Sequence, residues 1–150
     1  MRKLLLATTA VALSAGAVSA EDIKIGVILG FTGPIESLTP QMGAAAEMAM
    51  AEVNASGALL DGSTWTSVRG SDGVKGIMGA DCSGVTGAIL SNVALANGIV
   101  MISPSATSPA LSTAEDNGLF FRTAPSDARQ GVVMTEVLME EGIDNVAVTY

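Results

Sequence analysis

Short apolar runs alternate along this chain with longer segments whose apolar residues recur at helical spacing, and glycine or proline marks almost every change. Ile23 to Gly30 is apolar and β-rich, with Gly30-Phe31-Thr32-Gly33-Pro34 closing it as a turn, and reads as a buried strand. Thr39-Pro40 then reads as an N-cap followed by proline at the first helical position. The helix it opens runs to about Ala55, with Ala45, Met48, Ala49 and Val53 as its packing face and Gly57 as terminator. Trp65 to Arg69 and Val74 to Gly79 are the second and third strands. Ser83 to Asn97 is a helix stopped by Gly98, and Ile99 to Ser103 is a fourth strand. Pro104 and Pro109 fence a polar loop, and Phe120 to Arg122 is a short extended piece. Ser126-Asp127 caps a last helix to about Glu141, with Gln130 three residues after Asp127 in the manner of a capping box. Gly142 ends it, and Asn145 to Tyr150 reads as a buried strand cut at its end, so the pattern expects a chain that continues.

Strands alternating with helices imply an α/β fold, a parallel sheet covered by helices on both faces. One junction departs from this. Only Gly70, Ser71, Asp72 and Gly73 separate the second strand from the third, whereas a parallel crossover takes roughly a dozen residues. Either that pair is antiparallel or a helix is missing there.

The first twenty residues do not belong to this pattern. Arg2 and Lys3 precede an apolar, small-residue stretch from Leu4 to about Val18, and Val18-Ser19-Ala20 places small residues where signal peptidase reads. The expectation is a secretory signal peptide over 1–20, cleaved near Ala20, and a mature protein in the periplasm. No cysteine follows the cleavage site to carry a lipid. Cleavage takes two cations and no acid, so the net charge moves from -8 to -10. Nucleic acid and anionic lipid require clustered Lys and Arg, so neither is expected as a partner. With no histidine and one cysteine, Cys82, the chain has no ordinary means of building a metal site or a histidine-activated nucleophile, and no cofactor is expected.

The candidate chemistry lies in three strand-end loops of glycine and small hydroxyl residues. These are Phe31-Thr32-Gly33-Pro34, Gly79-Ala80-Asp81-Cys82-Ser83-Gly84 and Ser103-Pro104-Ser105-Ala106-Thr107-Ser108. In an open parallel sheet, ligands bind at the carboxyl ends of the strands. Ser83 as the N-cap of the next helix, with the free N–H groups there, suits a carboxylate. Thr107 supplies a second hydroxyl and N–H, and the carbonyl of Ser105 can accept from an ammonium group. Ala106, between them, is counted with the same ligand loop. Spacing alone favours a plainer role for Ser83 and Thr107, as cap and turn residues.

Five segments, in order, resemble the branched-chain amino-acid-binding protein family. They are Ile23-Lys24-Ile25-Gly26 with Thr32-Gly33-Pro34, Glu52 to Gly57, Ile77 to Ser83, Ile102 to Pro109, and Phe121 to Asp127. The resemblance implies a type I periplasmic-binding fold, two α/β lobes closing over a ligand, in which 21–120 forms a first lobe and 121–150 begins the second. It implies the solute-binding subunit of an ABC importer, which takes a branched-chain or other neutral amino acid and delivers it to permease subunits in the inner membrane. The family's carboxylate-holding serine falls on Ser83, its threonine for carboxylate and ammonium on Thr107, and its ammonium-accepting carbonyl on Ser105. Two departures accompany it. Relatives carry a crossover helix between the second strand and the Gly79–Ser83 loop, and some pair a cysteine at the position of Cys82 with one in that segment.

Enzyme classes find little support. Asp81-Cys82-Ser83-Gly84-Val85 is not a G-x-S-x-G elbow, and neither a P-loop nor a G-x-G-x-x-G fingerprint is present. Glu115-Asp116 and Glu140-Glu141 read as solvated surface. The other readings are the ligand-binding part of a sensor or receptor, and a binding protein for short amides such as urea.

Overall fold

A computed structural model describes residues 20–59, 62–68 and 73–149. The expected signal peptide therefore lies outside the described residues, apart from Ala20. Five parallel strands form one sheet in the order β2-β1-β3-β4-β5, with β1 at Asp22–Ile28, β2 at Thr64–Val68, β3 at Gly76–Gly79, β4 at Val100–Ser103 and β5 at Phe120–Arg122. Helix α1 (Thr39–Ser56) joins β1 to β2. A continuous helical run joins β3 to β4: α2 (Ser83–Ile89), a π segment Leu90–Ala94 and α3 (Leu95–Asn97). Helix α4 (Asp127–Glu140) follows β5.

The structure removes the antiparallel alternative for the short junction, since β2 and β3 run in the same direction, and no helix stands between them among the described residues. β2 and β3 are not neighbours. Each pairs in parallel with β1, which lies between them. Register makes this possible: Val68, the last residue of β2, is level with Gly26, while Gly76, the first of β3, is level with Ile25. The end of β2 and the start of β3 therefore lie two strand spacings apart, about 10 Å, at nearly the same level along the sheet. A link of seven residues can reach about 25 Å, which is ample.

Side-chain alternation divides the sheet into two faces. Ile77, Met101 and Phe120 point to one, where Leu90 and Ala94 of the helical run cover them with Val74, Ala106 and Leu111, and this is the core. The other face carries Ile25, Trp65, Met78, Val100 and Ile102. Here α1 covers β2 and β1, and an apolar trough of about 370 Å³ runs beside it. Ile102 is 45% exposed and Phe121 54%, so the β4–β5 side of this face is open.

Several local expectations shift. Thr39, expected as the cap of α1, is the first helical residue after Leu38, and its buried hydroxyl donates to the carbonyl of Gly30 at 2.9 Å. Helix α1 packs through Thr39, Gly43, Ala46, Met50 and Val53, a 3.6-residue stripe, whereas Met48 faces solvent at 62%. So many small residues line α1 that its apolar pattern marks no single face. Gly57 closes the helix in the left-handed conformation as expected, φ 68°. In α4 the cap is Ser126 alone, accepting from Ala128 N, with Asp127 already inside the helix, so the box from Asp127 to Gln130 does not form. The expected last strand is not a strand: residues 143–149 are irregular and exposed, because no described strand lies beside them to pair with.

Candidate functional site

The strand order 2-1-3-4-5 has a switch point between β1 and β3, where the chain leaves the sheet toward opposite faces and opens a crevice. From β1 it turns to α1 on one face, and from β3 to the helical run on the other. All three hydroxyl-rich loops end at this edge. Among the described residues, a recess of about 200 Å³ lies in the crevice, lined by Ile35, Leu38, Thr39 and Met42 from the α1 side, Asp81 and Cys82 from the β3 loop, and Ser105 from the β4 loop. Larger hollows of about 600 and 460 Å³ lie at the opposite edge of β3 and β4, and between α1 and β2, the second touching these loops only at Phe31.

Asp81 joins the loops. One carboxylate oxygen accepts from Gly30 N at 2.8 Å and the other from Cys82 N at 2.8 Å, while its backbone carbonyl accepts from the Ser105 hydroxyl at 3.0 Å. Ser103 works beneath it. Wholly buried, it donates to the carbonyl of Ala80 and accepts from Ala106 N at 3.0 Å, which curls the β4 loop back over the strand end. Thr86, also buried, donates to the Ala80 carbonyl at 3.2 Å. Sequence reasoning assigned no role to Asp81, Ser103 or Thr86. The clue was an aspartate directly before the helix start, with serines on the facing loop.

Ser83 is the first residue of α2, not its cap: Cys82 is the cap and no side chain caps that end. The Ser83 hydroxyl oxygen instead accepts from Ser108 N at 3.1 Å, which binds the β3 and β4 loops together and leaves the hydroxyl hydrogen to donate elsewhere. The Thr107 hydroxyl donates to the carboxylate of Asp127 at 3.0 Å, and the Thr107 carbonyl accepts from Asp127 N at 2.9 Å. No described acceptor takes the Thr107 N–H. Ala106 is buried, its N–H on Ser103 and its carbonyl on Arg122 at 3.2 Å, so it shapes the loop from within. Arg122 also donates to the Ser108 carbonyl at 2.9 Å, Asp127 N to that of Thr107, and the Thr123 hydroxyl to that of Pro104 at 3.3 Å. Of the carbonyls from Pro104 to Ser108, only that of Ser105 has no donor among the described residues. Cys82 is an exposed free thiol among the described residues. No group of His, Cys, Asp and Glu among them could hold a metal ion.

The two hydrogen bonds between Thr107 and Asp127 anchor the start of α4, a helix with no buried residue of its own. A double-mutant cycle with Thr107→Val and Asp127→Ala, read by denaturant unfolding, is expected to give a coupling of about 0.5–1 kcal/mol, modest because the pair is solvent-exposed. Additive effects would mean that the side-chain bond adds nothing to the backbone bond between the two residues.

The model of the receptor family ligand binding region matches residues 65–150, more than half of the chain. The chain belongs to this family. Similar members include the Leu/Ile/Val-binding protein of Escherichia coli (strain K12), 32% identical over 138 residues, which cover 81% of this chain and 37% of that protein. Leu/Ile/Val-binding protein homolog 3 of Brucella melitensis is 31% identical, over 93% of this chain and 42% of its own length. The chain thus spans about two fifths of these relatives. An ABC transporter substrate-binding protein from Desulfitobacterium hafniense in complex with Leu superposes with a TM-score of 0.67 at 26% identity, over 81% of this chain and 39% of that one. The branched-chain amino acid transporter substrate binding protein of Streptococcus pneumoniae in complex with isoleucine gives 0.61 at 26% identity, over 71% and 34%. The family resemblance read from the loops is therefore correct, and the fold is the type I periplasmic-binding one, over part of its length.

Proposed function

We propose that this chain supplies the first lobe of a solute-binding protein that takes a branched-chain or other neutral amino acid and delivers it to the permease subunits of an ABC importer. In this reading residues 1–20 direct export to the periplasm, and the stretch from 121 onward begins a second lobe, with α4 as its first helix. The observation that carries the proposal is the set of unclaimed polar groups on the β3 and β4 loops, of which Ser105 also lines the recess. A hydroxyl hydrogen on Ser83 and the N–H of Thr107 suit a carboxylate, and the unclaimed carbonyl of Ser105 suits an ammonium group. A zwitterion presents both. The adjoining recess, walled by Ile35, Leu38 and Met42, is of a size for a short apolar side chain. The relatives solved with leucine and isoleucine support the same class of ligand.

Calorimetric titration of the intact protein with leucine, isoleucine, valine and urea tests this. Saturable binding of the branched-chain amino acids is expected, with none of urea. Absence of heat with every amino acid would overturn it.

A further inference from the structure

We infer that Asp81 is a positioning and specificity-determining residue: its carboxylate locks the walls of the recess in register and turns away ligands with acidic side chains. The inference rests on the amino-acid-binding reading above and deepens it. Asp81 sits where the β1 and β3 loops part toward opposite faces of the sheet. Its two carboxylate oxygens take Gly30 N and Cys82 N, one from each side of that parting. Gly30 is held from its other end as well, by the Thr39 hydroxyl on its carbonyl. The segment from Gly30 to Thr39, which carries Ile35 and Leu38 into the recess, is thus tied to the β3 loop through one side chain. The approach is close: a Cβ on Gly30 would stand 3.2 Å from the Asp81 carboxylate.

Asp81 is also among the residues that line the recess, whose other walls are largely apolar. A negative group there leaves an apolar side chain undisturbed and repels a carboxylate, because Asp81 is half-buried and bulk water screens its charge only in part. Leucine and aspartate make a matched pair of probes. Both have a branched, four-atom side chain beyond Cα with the same α-carboxylate and ammonium, so the change in their affinity ratio when the Asp81 charge is removed reports that charge.

The test is titration of the intact protein and its Asp81→Asn variant with leucine and with aspartate, together with amide exchange at Gly30 and Cys82 in the ligand-free protein. An asparagine keeps the shape but can accept from only one of the two N–H groups. Expected are roughly tenfold faster exchange at one or both amides, weaker leucine binding, and a leucine-to-aspartate affinity ratio reduced at least tenfold. A purely structural residue would weaken both ligands equally, so an unchanged ratio overturns the specificity role, and unchanged exchange overturns the positioning role. If the unaltered protein bound no amino acid, the functional reading itself would fall and this inference with it. If it bound leucine and Asp81→Asn matched it in both measurements, the inference alone would fall.

Discussion

Gly79→Ala is expected to lower the unfolding free energy by about 2–6 kcal/mol, the sum of backbone strain and overpacking, against a typical total of 5–15 kcal/mol. Gly79 is the last residue of β3, paired with Ile28 of β1, and has φ 134°, a conformation that a side chain opposes. A Cβ there would fall inside the contact distance of the Ile28 carbonyl oxygen and lie 2.9 Å from its carbon. Neither atom can move without parting the two central strands just below the switch point. Gly87, in α2, is the internal control: nothing lies within 4 Å of its virtual Cβ. Ala at that position should be neutral or stabilising by roughly 0.5–1 kcal/mol, as helix propensity dictates. Denaturant unfolding of the two variants measures the contrast, and similar stabilities would show that the close approach at Gly79 is not a constraint.

Ser83→Ala is expected to cost the intact protein roughly 1.5–3 kcal/mol of amino-acid affinity, about ten- to a hundredfold, the value of a hydrogen bond to a charged group. Part of any loss could come from the Ser108 N–H, which would lose its acceptor. Leucinamide separates the two effects, since it keeps the side chain and ammonium and lacks the carboxylate. If Ser83 holds the carboxylate, the preference for leucine over leucinamide collapses in the variant. A loss shared equally by both ligands would reduce Ser83 to a brace between loops.

Much of the architecture was legible because its signals are local. Glycines after helices, prolines at helix starts and β-rich apolar runs act over a few residues, and they marked the order of elements from Ile23 to Glu141. Errors arose where the deciding partner is distant. Thr39 reads as a cap until the Gly30 carbonyl, nine residues away, claims its hydroxyl. Residues 145–149 have strand composition, yet a strand exists only beside another.

By itself, then, the sequence determined the α/β class, the three loops and the family they resemble, since residue order and local propensity suffice for these. Only the tertiary structure decided that β1 separates β2 from β3, because strand order depends on register across the sheet. Only it decided which polar groups remain unclaimed. Ser83 keeps its hydrogen because Ser108 N–H approaches from 25 residues away, and Ser105 keeps its carbonyl because Arg122, Thr123 and Asp127 engage its neighbours. A hydrogen bond satisfies whichever group lies within about 3 Å, and that proximity is a property of the folded chain.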